Sequence, residues 1–307
     1  MIEHKRTLIV APHTLLASCH RYTFCAGTAL LTCGLMLFSD ATAGLTGRIL
    51  IAGYGPELPV VQDLAKAYER LHPGTAIDIE WDSTVRAVHL VKSGEAQIAV
   101  TDQSDLALKA TQIAWDGIAV IVNFSNPVTA VSSAQVKGLF AAQITSWSEL
   151  DGAPAKVEVI PRTAVNNLTS GLQRALGLTN PIVASAAPVR SDQTLLNLVS
   201  GRDATISYLS LAAALKAQED GISIHILTVD QADPGDATVK NGRYPLRRPV
   251  LMLTSLQPDP LTESFLSFAR SVSGQALLRS MFVPAEPSIP TTATSPMQRL
   301  IPSSPAP

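Results

Sequence analysis

Cysteine is absent after residue 33: Cys19, Cys25 and Cys33 are the only three in a chain of 307 residues, so no disulfide framework can hold the main body together. Charge is scarce too. Asp, Glu, Lys and Arg make up 16% of the chain, and the formal net charge of -2 leaves no broad basic surface of the kind nucleic-acid binding needs. There is no Gly-x-Ser-x-Gly, His-Glu-x-x-His, Cys-x-x-Cys or P-loop pattern, which removes the usual signatures of nucleophilic hydrolases, zinc proteases, thiol redox proteins and P-loop nucleotide binding. Beyond the N-terminal segment the histidines are His72, His89 and His225, too scattered to form a metal site and read as surface or helix-end residues.

What is present is hydrophobic. At 46% apolar residues the chain can bury a substantial core in one large or two medium domains. Residues 1–43 read as a signal peptide: His4, Lys5, Arg6 and Arg21 precede the apolar run Tyr22–Phe38, and Ala41-Thr42-Ala43 supplies a small-x-small cleavage pattern. Export to the periplasm or beyond follows, with a mature chain that holds no cysteine. A retained membrane anchor is the competing reading, because the run is borderline for a bilayer core of ~30 Å. Thr32 before Cys33 fits a lipidation site poorly.

From residue 47 strands and helices alternate. Arg48–Ala52 is a short β-rich run, and Gly53-Tyr54-Gly55-Pro56 turns it into a helix over 58–71 whose apolar residues recur at helical spacing. Strands over 76–81 and 97–101 with a helix over 85–92 between them complete a βαβαβ pattern, which predicts a parallel sheet with its ligand crevice beyond the strand C-termini. Further on, Gly117–Val122 reads as a buried strand, Trp147 as a core residue, and 231–243 as a surface loop. Residues 285–307, rich in Pro, Ser, Thr and Ala, read as a disordered tail.

Two places could carry binding chemistry. Val157–Leu178, VEVIPRTAVNNLTSGLQRALGL, is a strand, a polar loop opening at Arg162, and a helix; such a loop aims backbone N–H groups and the positive end of a helix dipole at a small anion. Thr101-Asp102 stands at a strand end, either as a helix cap for residues 105–110 or as a carboxylate facing the crevice. Gly53-x-Gly55, followed by Asp78 and Glu80, loosely matches a dinucleotide fingerprint, but Leu58 occupies the third glycine's position.

Taken in order, GRILIAGYGPELPVVQDLAKAYERLHPG, SGEAQIAVTDQ, DGIAVIVNFSNPV, ITSWSELDG, ATISYLSL and YPLRRPVLMLTS resemble the phosphate-binding proteins of bacterial ABC transporters and their superfamily of periplasmic binding domains. The resemblance implies an α/β, two-lobed type II periplasmic binding fold with two hinge crossings. One lobe would take residues 47–120 plus 249–284 and the other 121–248. It implies a monomer that binds a small oxyanion such as phosphate and serves an ABC permease, with no cofactor, no catalysis and no nucleic acid. The alternative is a sensor or interaction module that kept the fold and lost the ligand.

On this resemblance the candidate ligand-binding residues in the first lobe are Gly55, Glu57, Leu58, Asp82, Ser83, Thr101 and Asp102. Those in the second are Arg162, Asn166 and Asn167. Asp102 would accept from a protonated ligand oxygen, and Arg162 would balance the charge. The family's Ser-Gly-Thr clasp stands here as Asn166-Asn167-Leu168, so Leu168 brings no side-chain donor. Glu57 and Asp82 would each repel an anion by about 1 kcal/mol at ~4 Å even with solvent-like screening, unless they act as helix N-terminal acids facing away.

Overall fold

The computed structural model describes residues 45–163 and 167–285. The segment read as a signal peptide, with its expected cleavage pattern, Asn166 and the Pro-rich stretch beyond residue 285 lie outside the described residues. In chain order the elements are β1 (Gly47–Gly53), α1 (Leu58–Leu71), β2 (Thr75–Trp81), α2 (Thr84–Ser93), β3 (Ile98–Thr101), β4 (Lys109–Asn123), β5 (Ala130–Val131), α3 (Ser133–Phe140), β6 (Glu158–Val159), α4 (Asn167–Ala175) and α5 (Asp192–Ser200). They continue with β7 (Thr205–Ser210), α6 (Leu211–Glu219), β8 (Ile224–Ile226), β9 (Thr228–Val229), α7 (Asp236–Asn241), β10 (Arg247–Thr254), α8 (Pro260–Ala269), α9 (Val272–Leu278) and β11 (Val283–Pro284).

The expected βαβαβ unit is there, with β1 parallel to both β2 and β3. Helix α1 forms because Val60, Val61, Leu64, Ala65 and Tyr68 fall on one face and are buried, and Pro59 suits its first turn. Tyr68 meets the Phe265 ring of α8 edge-on at 5.3 Å. Truncating a fully buried residue of this layer, such as Leu64, to Ala costs about 2–5 kcal/mol.

Strand β4 organises everything else. Its first part pairs antiparallel with β10, through Gly117 opposite Arg247, and from Ile118 to Val122 it pairs with β7 instead. The hydrophobic core divides at the same place. On one side of the division a cluster gathers β1, α1, β3, β10, α8 and α9 residues with Ile113 and Ala114, and a smaller one gathers α2 with the opposite sheet face, including Ala52, Ala99 and Leu253; on the other side a cluster gathers Ile118–Val122 with β7, α3, α4, α5 and α6 residues. Two lobes therefore share one long strand, and the chain returns between them at Tyr244–Arg248, where the Ile118 N–H donates to the Leu246 carbonyl at 2.7 Å.

Three local expectations are corrected. Residues 105–110 form no helix, because Lys109 and Ala110 already belong to β4, whose alternating and half-exposed first part (KATQIAWD) hides its continuity with the apolar run. Within 231–243 a short helix, α7, buries Val239. The sequence reads as a helix over 261–272 followed by a last one over 274–281; the first ends earlier, at Ala269, and the second starts at Val272, because the Ser271 hydroxyl caps it by accepting from the Gly274 N–H at 3.2 Å. Trp147 is a core residue, its indole N–H donating to the Ala204 carbonyl at 2.9 Å. Among the described residues no helix is long and apolar enough to cross a membrane.

Candidate functional site

Beyond the C-terminal ends of β1, β2 and β3 the chain turns at Gly53–Glu57, Trp81–Ser83 and Thr101–Asp102, the position at which open α/β sheets bind ligands. Facing these turns from the other lobe are Arg162, the start of α4, the segment Arg190–Gln193 and Ser210. A cleft of about 440 Å³ between them is lined by Tyr54, Gly55 and Trp81 on one side and Arg162, Arg190, Asp192 and Ser210 on the other, whereas Thr101 borders a separate pocket with Thr84, Val88 and Gln103. Gly55 adopts φ +136°, a conformation glycine reaches without strain, and its carbonyl accepts from the Trp81 indole at 3.1 Å.

Arg162 enters the cleft from the end of the strand segment after β6. Its side chain is 6% exposed, and Nη2 lies 2.6 Å from Asp192 Oδ1 and 3.2 Å from the Arg190 carbonyl it donates to. Its Nε and Nη1 are buried and make no hydrogen bond among the described residues. A buried guanidinium with two free N–H edges is short of acceptors.

Asn167 is 3% exposed and ties the lobes together: its amide donates to the Tyr54 carbonyl and its carbonyl accepts from the Thr84 hydroxyl. Asp102, just after β3, does not line this cleft; it is buried and ion-paired through Oδ2 with Arg174 of α4, while Oδ1 has no hydrogen-bond partner among the described residues. The Thr101 hydroxyl accepts from the Gln103 N–H at 3.2 Å, leaving its proton to donate elsewhere.

Other candidates sit away from the cleft. Asp82 is exposed, and Ser83 caps α2 by accepting from the Arg86 N–H. Leu58 is the half-buried first residue of α1. Asp78 and Glu80 form exposed ion pairs with Arg48 and Arg86, so the dinucleotide pattern has no acid at a nucleotide site.

Glu57 is fully buried and does not face away. Its Oε1 lies 2.7 Å from Arg248 Nη1, and neither oxygen accepts a well-aligned hydrogen bond among the described residues. Arg248 also donates to Asp116 Oδ2 through Nε at 3.0 Å and Nη2 at 2.7 Å, and the Ser210 hydroxyl donates to Asp116 Oδ1 at 2.7 Å. Burial pushes the Glu57 and Asp116 carboxyls above their ordinary range, and the one guanidinium between them only partly offsets it. Burial would lower Arg248, but Glu57 and Asp116 outweigh it and hold the guanidinium charged. Gly171 of α4 lets the helix pack directly on this group: a Cβ there would come within 2.7 Å of Arg248 Cδ and 3.1 Å of Asp102 Oδ2.

Sequence reasoning missed Arg174, Asp192 and the Arg248–Asp116 pair. One signal was available. Asp116 is a lone acid between apolar strand residues and Arg248 directly precedes another such strand; charges at buried strand positions need partners.

The model of the PBP superfamily domain matches residues 39–272 of this chain. Phosphate-binding protein PstS 2 of Streptococcus agalactiae is 33% identical over 111 residues, which spans 34% of this chain and 38% of that protein. Phosphate-binding protein PstS of Bacillus subtilis is 23% identical over 252 residues, 76% of this chain and 79% of the relative. An ABC-type phosphate transport receptor from Vibrio cholerae has a crystal structure that matches with a TM-score of 0.70 at 26% identity, covering 78% of this chain and 100% of that one.

Proposed function

We propose that this chain, which belongs to the PBP superfamily, is an exported solute-binding protein that takes a small oxyanion, phosphate by its relatives, into the cleft between its lobes. The observation that carries the reading is Arg162: a buried guanidinium in the cleft wall whose Nε and Nη1 have no acceptor among the described residues. A tetrahedral oxyanion supplies the charged acceptor oxygens that such unbonded guanidinium N–H groups lack. Beside it Ser210 lines the same cleft, and Asp102 Oδ1, behind the wall, would accept from a protonated ligand oxygen if closure brought the two together. The relatives named as phosphate-binding and transport proteins support the same ligand class. On this reading one lobe takes residues 47–120 plus 249–284 and the other 121–248. Opening and closing about β4 and Tyr244–Arg248 would expose and enclose the ligand, and an ABC permease would receive it.

Calorimetric titration of the purified protein with phosphate, sulfate, molybdate and divalent cations tests this. Micromolar or tighter phosphate binding, lost in Arg162→Ala, is expected. Absence of any anion binding at millimolar concentration overturns the reading and leaves the sensor or interaction module.

A further inference from the structure

We propose that Glu57 is a specificity-determining residue that makes oxyanion binding proton-linked: an anion enters the cleft together with a proton taken up by the Glu57 carboxylate. This deepens the oxyanion reading above and rests on it. Glu57 stands immediately before α1 without capping it through its side chain, and its carboxylate takes the Nη1 side of Arg248. That is a position a bound anion would otherwise use. The chain has in effect placed its own carboxylate there.

Charge balance then decides the consequence. Glu57 pairs with Arg248 from β10, which also pairs with Asp116 from β4 and lies against Gly171 beside Asp102 and its partner Arg174 of α4; this cluster holds two cations against three carboxylates, Glu57 included. The cluster is one negative charge in excess before any ligand arrives. Gly55 and Ser210 line the cleft on one side and meet this cluster on the other. The Ser210 hydroxyl donates to Asp116, and a methyl group on Gly55 would lie 2.4 Å from Glu57 Oε2. An anion in the cleft therefore feels the surplus charge across a thin, dry layer.

A proton added to the cluster goes to Glu57, not to Asp116. Asp116 accepts three hydrogen bonds, two from Arg248 and one from Ser210, which favour its charged form, whereas Glu57 accepts no well-aligned one. Ligand and proton are then linked reciprocally: the anion raises the proton affinity of Glu57, and protonation raises the anion affinity.

The test compares inorganic phosphate binding to the wild-type protein and to Glu57→Gln by calorimetry from about pH 5 to about pH 8, each in two buffers of different ionisation enthalpy. Phosphate's own proton is common to both proteins and cancels in the difference. Expected are an affinity for Glu57→Gln roughly tenfold or more above wild type at the alkaline end, a ratio that falls toward one as pH drops, and an extra proton uptake in the wild type that the variant lacks. A ratio that is constant or below one throughout, with equal proton uptake, overturns the inference and leaves the oxyanion reading standing. No binding to either protein at any pH overturns both. If Glu57→Gln does not fold, Glu57→Asp replaces it: it keeps a titratable carboxyl, and an unchanged pH profile with the wild-type protein showing no proton uptake beyond phosphate's own also overturns the inference.

Discussion

Arg248 and Arg162 are both almost wholly buried beside the cleft, at 1% and 7% exposure, yet their surroundings differ. Arg248 lies between two fully buried carboxylates, Glu57 and Asp116, whereas Arg162 has one acidic partner, Asp192, whose side chain is 43% exposed. A guanidinium enclosed by two buried acids has no charge left for a ligand and serves to hold β10, β4 and the start of α1 together. One paired with a single, partly hydrated acid and carrying free N–H edges can still take an anion. Burial of an arginine thus says little by itself; the count of buried counter-charges separates the structural cation from the binding one.

Four substitutions sharpen or break this contrast. Arg248→Met strands Glu57 and Asp116 without a cation and should lower stability by about 3–5 kcal/mol, read from urea unfolding; a loss under about 1 kcal/mol would mean that the pair is not structural. Arg162→Ala removes charge-assisted bonds to the ligand of about 1.5–3 kcal/mol each. It should weaken phosphate binding roughly a hundredfold while unfolding changes little, since water can solvate the Asp192 left behind.

The third prediction concerns pH. The Glu57 carboxyl is raised by burial above its unfolded value, so its contribution to stability is fully present below the unfolded pKa of about 4.3 and is lost as pH rises through the folded pKa. Glu57→Gln lacks that loss. Its stability relative to wild type should be highest near neutral pH and decline on acidification, as thermal unfolding across pH would show; a gap that widens toward acid would reverse the sign. Smallest is Arg174→Ala: Arg174 is 41% exposed, so removing its pair with Asp102 should cost about 1 kcal/mol or less, seen as a downward shift in Tm of a few degrees at most.

How far the sequence reached follows from the kind of signal each feature leaves. Helix α1 is legible because Val60 to Tyr68 repeat at helical spacing and His72-Pro73-Gly74 ends it. The loop at Arg162 is legible because a strand, a polar stretch and a helix succeed one another locally. The first half of β4 is hidden by its half-exposed alternation. The ion pairs behind the cleft join residues far apart in the chain: Glu57 with Arg248, Asp116 with Arg248, Asp102 with Arg174. No local period announces such pairs. The repulsive carboxylate at residue 57 could be foreseen, but its counterion could not be identified until the topology brought β10 alongside β4.

The central claim is that Arg162, not Arg248, meets the ligand, and the arginine Nε–H signals of nitrogen-15-labelled protein report on each directly. On titration with phosphate the Arg162 Nε–H signal should shift and gain protection from solvent exchange, while the Arg248 Nε–H, already bonded to Asp116, should move little. A shift confined to Arg248, with Arg162 unaffected, would contradict the account.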